Sequence, residues 1–154
     1  NQKKRLRLAQ KSCRDSARTP LQWSAGENAG FTTGKPWFSI NPNYKEINVA
    51  GQTGDPDSLW NFYRALLQFR KTPVVRYGSY KELHRRSQKL YVYEREYEGT
   101  KLLVICSFTE RPVKFRLPGG YEKAEKKFGN YAGMDRITNS LTLRPYEVAV
   151  YQVG

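Results

Sequence analysis

The chain has one histidine, one methionine and two cysteines; its acidic residues are outnumbered almost two to one by basic ones, and no long apolar run occurs. Each shortage closes a class of function. A single histidine, His84, flanked by Arg85 and Arg86, cannot build a histidine-centred triad or a metal cluster, and it reads as a surface residue. Cys13 and Cys106 lie far apart, the first in a basic polar stretch and the second closing the apolar run Leu102-Leu103-Val104-Ile105. Neither a disulfide framework nor a metal-ligand spacing emerges, and Cys106 reads as a small buried core residue. No metal and no cofactor are expected. No segment is apolar enough for a signal peptide or a bilayer-crossing helix, which predicts a soluble chain.

What is abundant is positive charge, a formal +13. Clustered Lys and Arg would point to nucleic acid, because they release counterions from phosphate. Here the excess is spread along the chain, and the one dense cluster is Lys3, Lys4, Arg5, Arg7 and Lys11, followed by Arg14 and Arg18. That cluster fits a solvated helix face.

A length of 154 residues suffices for one ordinary domain, or a small one with extra elements. Residues 2–12 are good helix formers, and helix-like sequence follows Asn1 with no preceding turn, as if the chain continued upstream. Residues 14–54 are dense in Gly, Pro, Asn, Thr and Trp and show no helical or strand period, which predicts a long ordered loop. Trp23, Phe31, Trp37, Phe38, Ile40, Tyr44 and Ile47 are too apolar for a solvated linker, and loops of this length are usually functional. Asp55-Pro56 predicts a helix start, and Leu59, Phe62, Tyr63, Leu66 and Leu67 predict one buried face on a helix reaching about Lys71, before Pro73. That face needs a partner, from the following segment or from outside the chain. Beyond it, short β-prone runs at 74–77, 80–83, 90–97, 102–108, 113–117, 137–143 and 146–153 are separated by turn signals such as Glu98-Gly99-Thr100 and Pro118-Gly119-Gly120. Evenly spaced strands without intervening helices predict an antiparallel β-sandwich of Greek-key type.

The loop is where the sequence becomes specific. It reads Arg14-Asp15-Ser16-Ala17-Arg18-Thr19-Pro20-Leu21-Gln22-Trp23, then Asn28-Ala29-Gly30-Phe31-Thr32-Thr33-Gly34-Lys35-Pro36-Trp37, then Asn41-Pro42-Asn43-Tyr44-Lys45-Glu46-Ile47-Asn48. With Phe69-Arg70-Lys71, Tyr77-Gly78-Ser79-Tyr80 and the closing Leu143-Arg144-Pro145-Tyr146-Glu147, these segments resemble the C-terminal third of oligo-1,6-glucosidases and their relatives in the α-amylase superfamily. The resemblance covers nearly the whole chain. It implies that residues 1–73 are the tail of a (β/α)8 barrel, comprising the loop after strand 8 and one amphipathic helix, and that residues 74–154 are a C-terminal β domain; the fold class is mainly β. It also implies a cytoplasmic glycoside hydrolase of carbohydrate metabolism. Its partners would be an oligosaccharide substrate and the missing N-terminal part of the barrel; the composition points to no membrane partner and disfavours nucleic acid.

In such barrels function sits on the loops after the strands. The family motif usually reads R-D-N-A-R-T-P-M-Q-W, with its first arginine at the glucose pocket and its second near the entrance, positions matched by Arg14 and Arg18. A guanidinium offers several fixed donors to sugar hydroxyls or to a carboxylate. The equally physical alternative for Arg14 is an ion pair with Asp15 or another carboxylate that only shapes the loop. The chain departs from the motif at Ser16 and Leu21, and Ser24 stands where an acidic residue often follows the tryptophan; none of these touches the arginines.

Retaining α-glucoside cleavage needs two carboxyl groups roughly 5–5.5 Å apart. In the family these lie on earlier barrel strands. The carboxylates here fall in turns (Asp55, Asp57, Glu98), at alternating strand positions (Glu94, Glu96) or in charged loops (Glu122, Glu125), and read as solvated. No catalytic residue is therefore assigned, and the chain alone is not expected to catalyse. The leading expectation is a C-terminal fragment of a retaining glycosidase acting on terminal α-1,6-linked or related α-glucosides. Alternatives are a fragment of a trehalose-6-phosphate hydrolase or a sucrose isomerase, or a non-catalytic carbohydrate-binding or scaffolding domain using Trp23, Trp37 or Tyr44. A nucleic-acid module using residues 3–18 lacks any base-stacking or zinc-finger signature.

Overall fold

A computed structural model describes residues 2–12, 17–133, 137 and 139–154. The chain divides into two compact units, Asn1–Tyr63 and Arg64–Gly154. In the first unit, helix α1 (Gln2–Ser12) forms where the helix formers cluster, with Leu6 and Leu8 exposed. Residues 17–48 are largely irregular, as their composition predicts. Two one-turn 3-10 helices, Glu27–Gly30 and Pro42–Lys45, punctuate them, and a short helix, α2 (Val49–Gly54), follows. α2 was not legible, because Val-Ala-Gly-Gln-Thr-Gly carries no apolar face and two helix-disfavouring glycines.

The amphipathic helix α3 (Leu59–Phe69) starts later than Asp55-Pro56 suggested. Asp55 instead closes α2, its N–H donating to the Gln52 carbonyl (3.3 Å) while its carboxylate accepts the Asp57 N–H (2.9 Å). The cap falls to Ser58, which is buried and whose Oγ accepts the Asn61 N–H (3.2 Å) and donates to the Gln52 carbonyl (2.6 Å). No residue of α3 is fully buried, and Leu59 is 66% exposed.

The second unit opens with a correction. Residues 74–77 were expected to be a strand but form helix α4 (Pro73–Tyr77). Proline at the first turn favours a helix start, and Val74 and Val75 pack on the sheet from one side of that turn. Among the described residues seven strands follow: β1 (Lys81–Glu82), β2 (Leu90–Tyr97), β3 (Thr100–Ser107), β4 (Val113–Arg116), β5 (Glu125–Gly129), β6 (Ser140–Leu143) and β7 (Val148–Val153). They form an antiparallel five-stranded sheet in the order β1-β2-β3-β7-β5 and a two-stranded sheet, β4-β6. The β2–β3 hairpin turns at Glu98 (φ 47°) and Gly99 (φ 81°), the left-handed pair required by a two-residue turn that follows the strand twist. β5 is a second correction: Glu125 was read as part of a charged loop. It begins an edge strand, where lysines such as Lys126 and Lys127 are tolerated and guard against further pairing.

The core lies between the two sheets. Val92, Leu103, Ile105, Phe115, Leu143 and Tyr151 meet there, joined by Ile137. The opposite face of the larger sheet is covered by Phe69, Val74 and Val75 against Leu102, Val104 and Val150, and Phe69 stacks on Phe128 at 6.0 Å. Cys106 sits on this outer face, half-buried rather than in the core, and burial pushes its thiol pKa up. Among the described residues, no helix is long and apolar enough to cross a membrane.

Candidate functional site

Arg14, the first of the two motif arginines, lies outside the described residues. Arg18 is described and exposed, and the chain immediately after it is tightly held. Pro20 is buried. Gln22 and Trp23 then place their carbonyls against the start of α2, where they accept the N–H groups of Val49 (2.9 Å) and Ala50 (3.0 Å). Those are donors a helix start would otherwise leave free. Asn48 is the side-chain cap of the same helix. It is buried, accepts the Gly51 N–H (2.9 Å) and donates to the Tyr44 carbonyl (2.9 Å). The Gln22 amide donates to Asn43 Oδ1 (3.1 Å) and to the Ile47 carbonyl. Together these bonds frame a cleft of about 250 Å³ lined by Thr19, Pro20, Leu21, Gln22, Asn48 and Gln52, among others. Its polar side chains are Thr19, Gln22, Asn48 and Gln52, suited to hydroxyl groups and without an acid or base.

The second motif segment is built as a tight reversal. Asn28 (φ 48°), Ala29 (φ 55°) and Gly30 (φ 66°) are all left-handed, and the buried Ala29 presents its carbonyl to the N–H groups of Trp23 (2.9 Å) and Ser24 (3.0 Å). A left-handed alanine costs about 1–2 kcal/mol, which two accepted hydrogen bonds offset. Gly30 is needed for a second reason, since a Cβ there would lie 2.7 Å from Ser24 Oγ. Beyond the reversal, Trp37 is 91% exposed and stacks on Phe38 (4.9 Å), Trp23 is half exposed, and Tyr44 is half-buried. The three aromatics considered as sugar platforms thus differ: Trp37 projects freely, whereas Tyr44 is partly enclosed.

Several carboxylates have structural partners. Glu94, read as solvated, accepts a hydrogen bond from the Tyr121 hydroxyl (2.6 Å); burial, then this bond, push the Tyr121 pKa up. Glu122 accepts the Gly120 N–H, with its carboxyl held below the usual range by backbone hydrogen bonds. His84 is exposed, edge-on to the Phe115 ring at 5.2 Å. No group of three or more His, Cys, Asp or Glu side chains among the described residues is placed to hold a metal ion.

Two features were missed. One is Glu147, fully buried and gripped by Arg144, whose Nη2 and Nε lie 2.9 and 3.2 Å from its oxygens and whose backbone N–H donates at 2.7 Å. Burial pushes the Glu147 carboxyl up, but the Arg144 hydrogen bonds and charge outweigh it and leave the pKa below the usual range. A charge pair three apart around Pro145 was the available signal. The other is a row of tyrosines, visible in hindsight from the two-residue spacing of Tyr91 and Tyr93 with Tyr97 beyond.

Comparison with known proteins places this geometry. The catalytic-domain model of the alpha-amylase family matches residues 1–78. The oligo-1,6-glucosidase of Bacillus cereus is 42% identical over 91% of this chain and 26% of its own length. The trehalose-6-phosphate hydrolase of Bacillus subtilis is 38% identical over 95% of this chain and 27% of its own. Among solved structures, the trehalulose synthase of Pseudomonas mesoacidophila MX-45 superposes with a TM-score of 0.80 at 42% identity, covering 92% of this chain and 26% of that one. The chain thus spans about a quarter of the length of the relatives it matches. With the family model running from α1 through the loop and α3 to α4, and relatives aligned across the β unit as well, the chain belongs to the alpha-amylase family.

Proposed function

We propose that this chain is the C-terminal part of a retaining glycoside hydrolase acting on terminal α-1,6-linked glucosides, and that it supplies binding groups rather than the reacting carboxylates. Residues 1–73 form the tail of its barrel and residues 74–154 its β domain. The observation that carries the reading is the continuity of the likeness: oligo-1,6-glucosidases from several bacilli stay 40–44% identical over 90–95% of the chain, through both the loop and the sandwich. Arg14 and Arg18 donate to glucose hydroxyls, Arg14 within the pocket and Arg18 at its entrance. Gln22, Asn48 and Ala29 hold the loop from which Arg18 projects, so their role is positioning. The protein works in the cytoplasm on oligosaccharides.

The experiment is an assay of the polypeptide extended through the upstream sequence of its gene, on isomaltose, trehalose 6-phosphate and sucrose. Isomaltose hydrolysis with release of α-glucose is expected, together with no turnover by the 154-residue chain alone. Replacing Arg14 with alanine should lower kcat/KM about a hundredfold, as losing one charged hydrogen-bonding group costs about 3 kcal/mol. Turnover confined to trehalose 6-phosphate, or isomerisation of sucrose, would move the assignment to the hydrolase or the synthase. Release of β-glucose would remove the retaining mechanism.

A further inference from the structure

The outer face of the five-stranded sheet carries side chains that the proposed function leaves unused. Along β2, Leu90 and Val92 enter the core while Tyr91, Tyr93 and Tyr97 rise on the other face. Tyr80, just before β1, joins them. Its ring centre lies 5.4 Å from that of Tyr93, which in turn is 5.3 Å from that of Tyr91. Tyr80 and Tyr91 are 51% and 39% exposed, and their hydroxyls meet at 2.8 Å. Farther along, Tyr77 packs on Tyr97 at 5.9 Å.

Two properties of this row select an occupant. First, successive rings are tilted by 38° and 45° rather than coplanar. Coplanar rings suit the flat ribbon of a β-linked glucan, whereas tilted rings suit a chain that turns from one sugar to the next, as α-linked glucose does. Second, every ring carries a hydroxyl, and Glu82 lies opposite Tyr93 in the β1–β2 register, so the surface pairs apolar ring faces with hydrogen-bonding edges. A sugar presents the complementary mixture of C–H faces and hydroxyl rims.

We propose that Tyr80, Tyr91 and Tyr93 form a binding platform for α-linked gluco-oligosaccharides of three or more units. The sugar rings stack on the tilted tyrosines and their hydroxyls exchange hydrogen bonds with the Tyr80 and Tyr91 phenols. The inference rests on the proposed function only for the choice of glucose as the repeating unit. Tyr80, Tyr91 and Tyr93 lie wholly within the unit that has its own core, so the 154-residue chain can be tested as it stands.

The test is a titration of the ring-labelled chain with isomaltopentaose, with cellopentaose as the flat control of equal length, followed by NMR. Saturable shifts of the Tyr80, Tyr91 and Tyr93 rings by isomaltopentaose are expected. Binding should weaken about tenfold in the Tyr80→Ala/Tyr91→Ala double variant and only a few-fold in Tyr80→Phe/Tyr91→Phe, which keeps the rings. Circular dichroism checks that both variants remain folded. The proposal fails if no shift saturates, if cellopentaose binds as well, if the shifts fall on Trp23 or Trp37 instead, or if the longer polypeptide no longer binds because its own chain covers the row. A longer polypeptide that binds isomaltopentaose through these tyrosines but does not hydrolyse isomaltose would retain the platform and remove the proposed function.

Discussion

In residues 64–154, Leu103, Ile105, Leu143 and Tyr151 lose all contact with solvent between two sheets. In residues 17–63 the buried side chains are small or polar: Pro20, Ala29, Asn48 and Ser58. The larger apolar groups there, such as Leu21, Trp23, Phe31, Trp37 and Leu59, stay exposed. One unit is therefore stabilised by burial, at about 1.5–3 kcal/mol for each large side chain. The other is organised by caps and loop hydrogen bonds, each contributing about 1 kcal/mol net against an ordering cost of about 1–2 kcal/mol per residue. The lesson is that the loop unit is organised by local hydrogen bonds rather than by a large apolar core, which fits the barrel tail proposed for it.

The largest expected effect tests this directly by making one truncation in each unit. Leu103→Ala opens a cavity in the sandwich and should lower stability by about 2–5 kcal/mol. Leu59→Ala, at a position already 66% exposed, should change it by less than about 0.5 kcal/mol. Urea unfolding followed by circular dichroism measures both. Equal losses would mean that the α3 face is buried in solution and that the contrast between the units is false.

Next in size is Arg144→Met. It removes the partner of a fully buried carboxylate and leaves Glu147 with only the residue-144 N–H among the bonds it now accepts from that residue, at a cost of about 3 kcal/mol at neutral pH. The sign of the pH dependence follows from the native Glu147 pKa, which lies below its unfolded value. In the native chain the stabilisation is present above the usual carboxylate pKa and disappears as pH falls through the lower, folded one. In the variant burial acts without its main opponent, so the carboxyl pKa should rise and the deficit should shrink toward acid. A deficit independent of pH from 4 to 7 would show that Arg144 acts through its packing over the Tyr131 ring (4.2 Å) rather than through charge.

The same contrast explains what could be read from sequence. The sandwich was legible because β2, β3 and β7 carry β-branched and aromatic runs and the β2–β3 turn carries Glu98-Gly99. β5 was not legible, because its Glu-Lys-Lys-Phe-Gly sequence places one apolar group against the sheet and its place comes from pairing with β7. Val74-Val75 read as a strand because β-branched residues favour one, but Pro73 and the Val74 and Gly78 carbonyls accepting from Arg95 (3.2 and 2.7 Å) secure a helical turn. In the loop, the motif segments contain Gln22, Ala29 and Asn48 beside Arg18, but not how they pair with one another. Bonds such as Val49 N–H to the Gln22 carbonyl join residues 27 apart and leave no periodic trace.

A smaller effect returns to the loop. Gly30→Ala forces a side chain into a left-handed position 2.7 Å from Ser24 Oγ, costing about 1–2 kcal/mol. Because the two units are stabilised differently, the cost should appear as faster amide exchange at Trp23 and Ser24, whose N–H groups bond to Ala29, with the thermal midpoint of the sandwich unchanged. A matching fall in that midpoint would mean that the loop and the sandwich unfold as one cooperative body.

The smallest effect probes the sandwich surface, where order extends to solvent-facing groups. The Tyr80 pKa is pushed up to about 12, first by its hydrogen bond with Tyr91, then by partial burial and by the charge Tyr91 would acquire. Tyr91→Phe removes the first and third of these and should bring the Tyr80 pKa back toward 10, the ordinary phenol value. Ring-labelled NMR titration reads the change at a single residue. Linkage gives the sign for stability: a pKa raised on folding contributes stability below pH 10 that is lost as pH rises toward 12, so the variant should lose less over that window than the native chain. If Tyr80 still titrates near 12 in Tyr91→Phe, the hydroxyl pair is not what holds the two rings, and the hydrogen-bonding edge of the proposed platform goes with it.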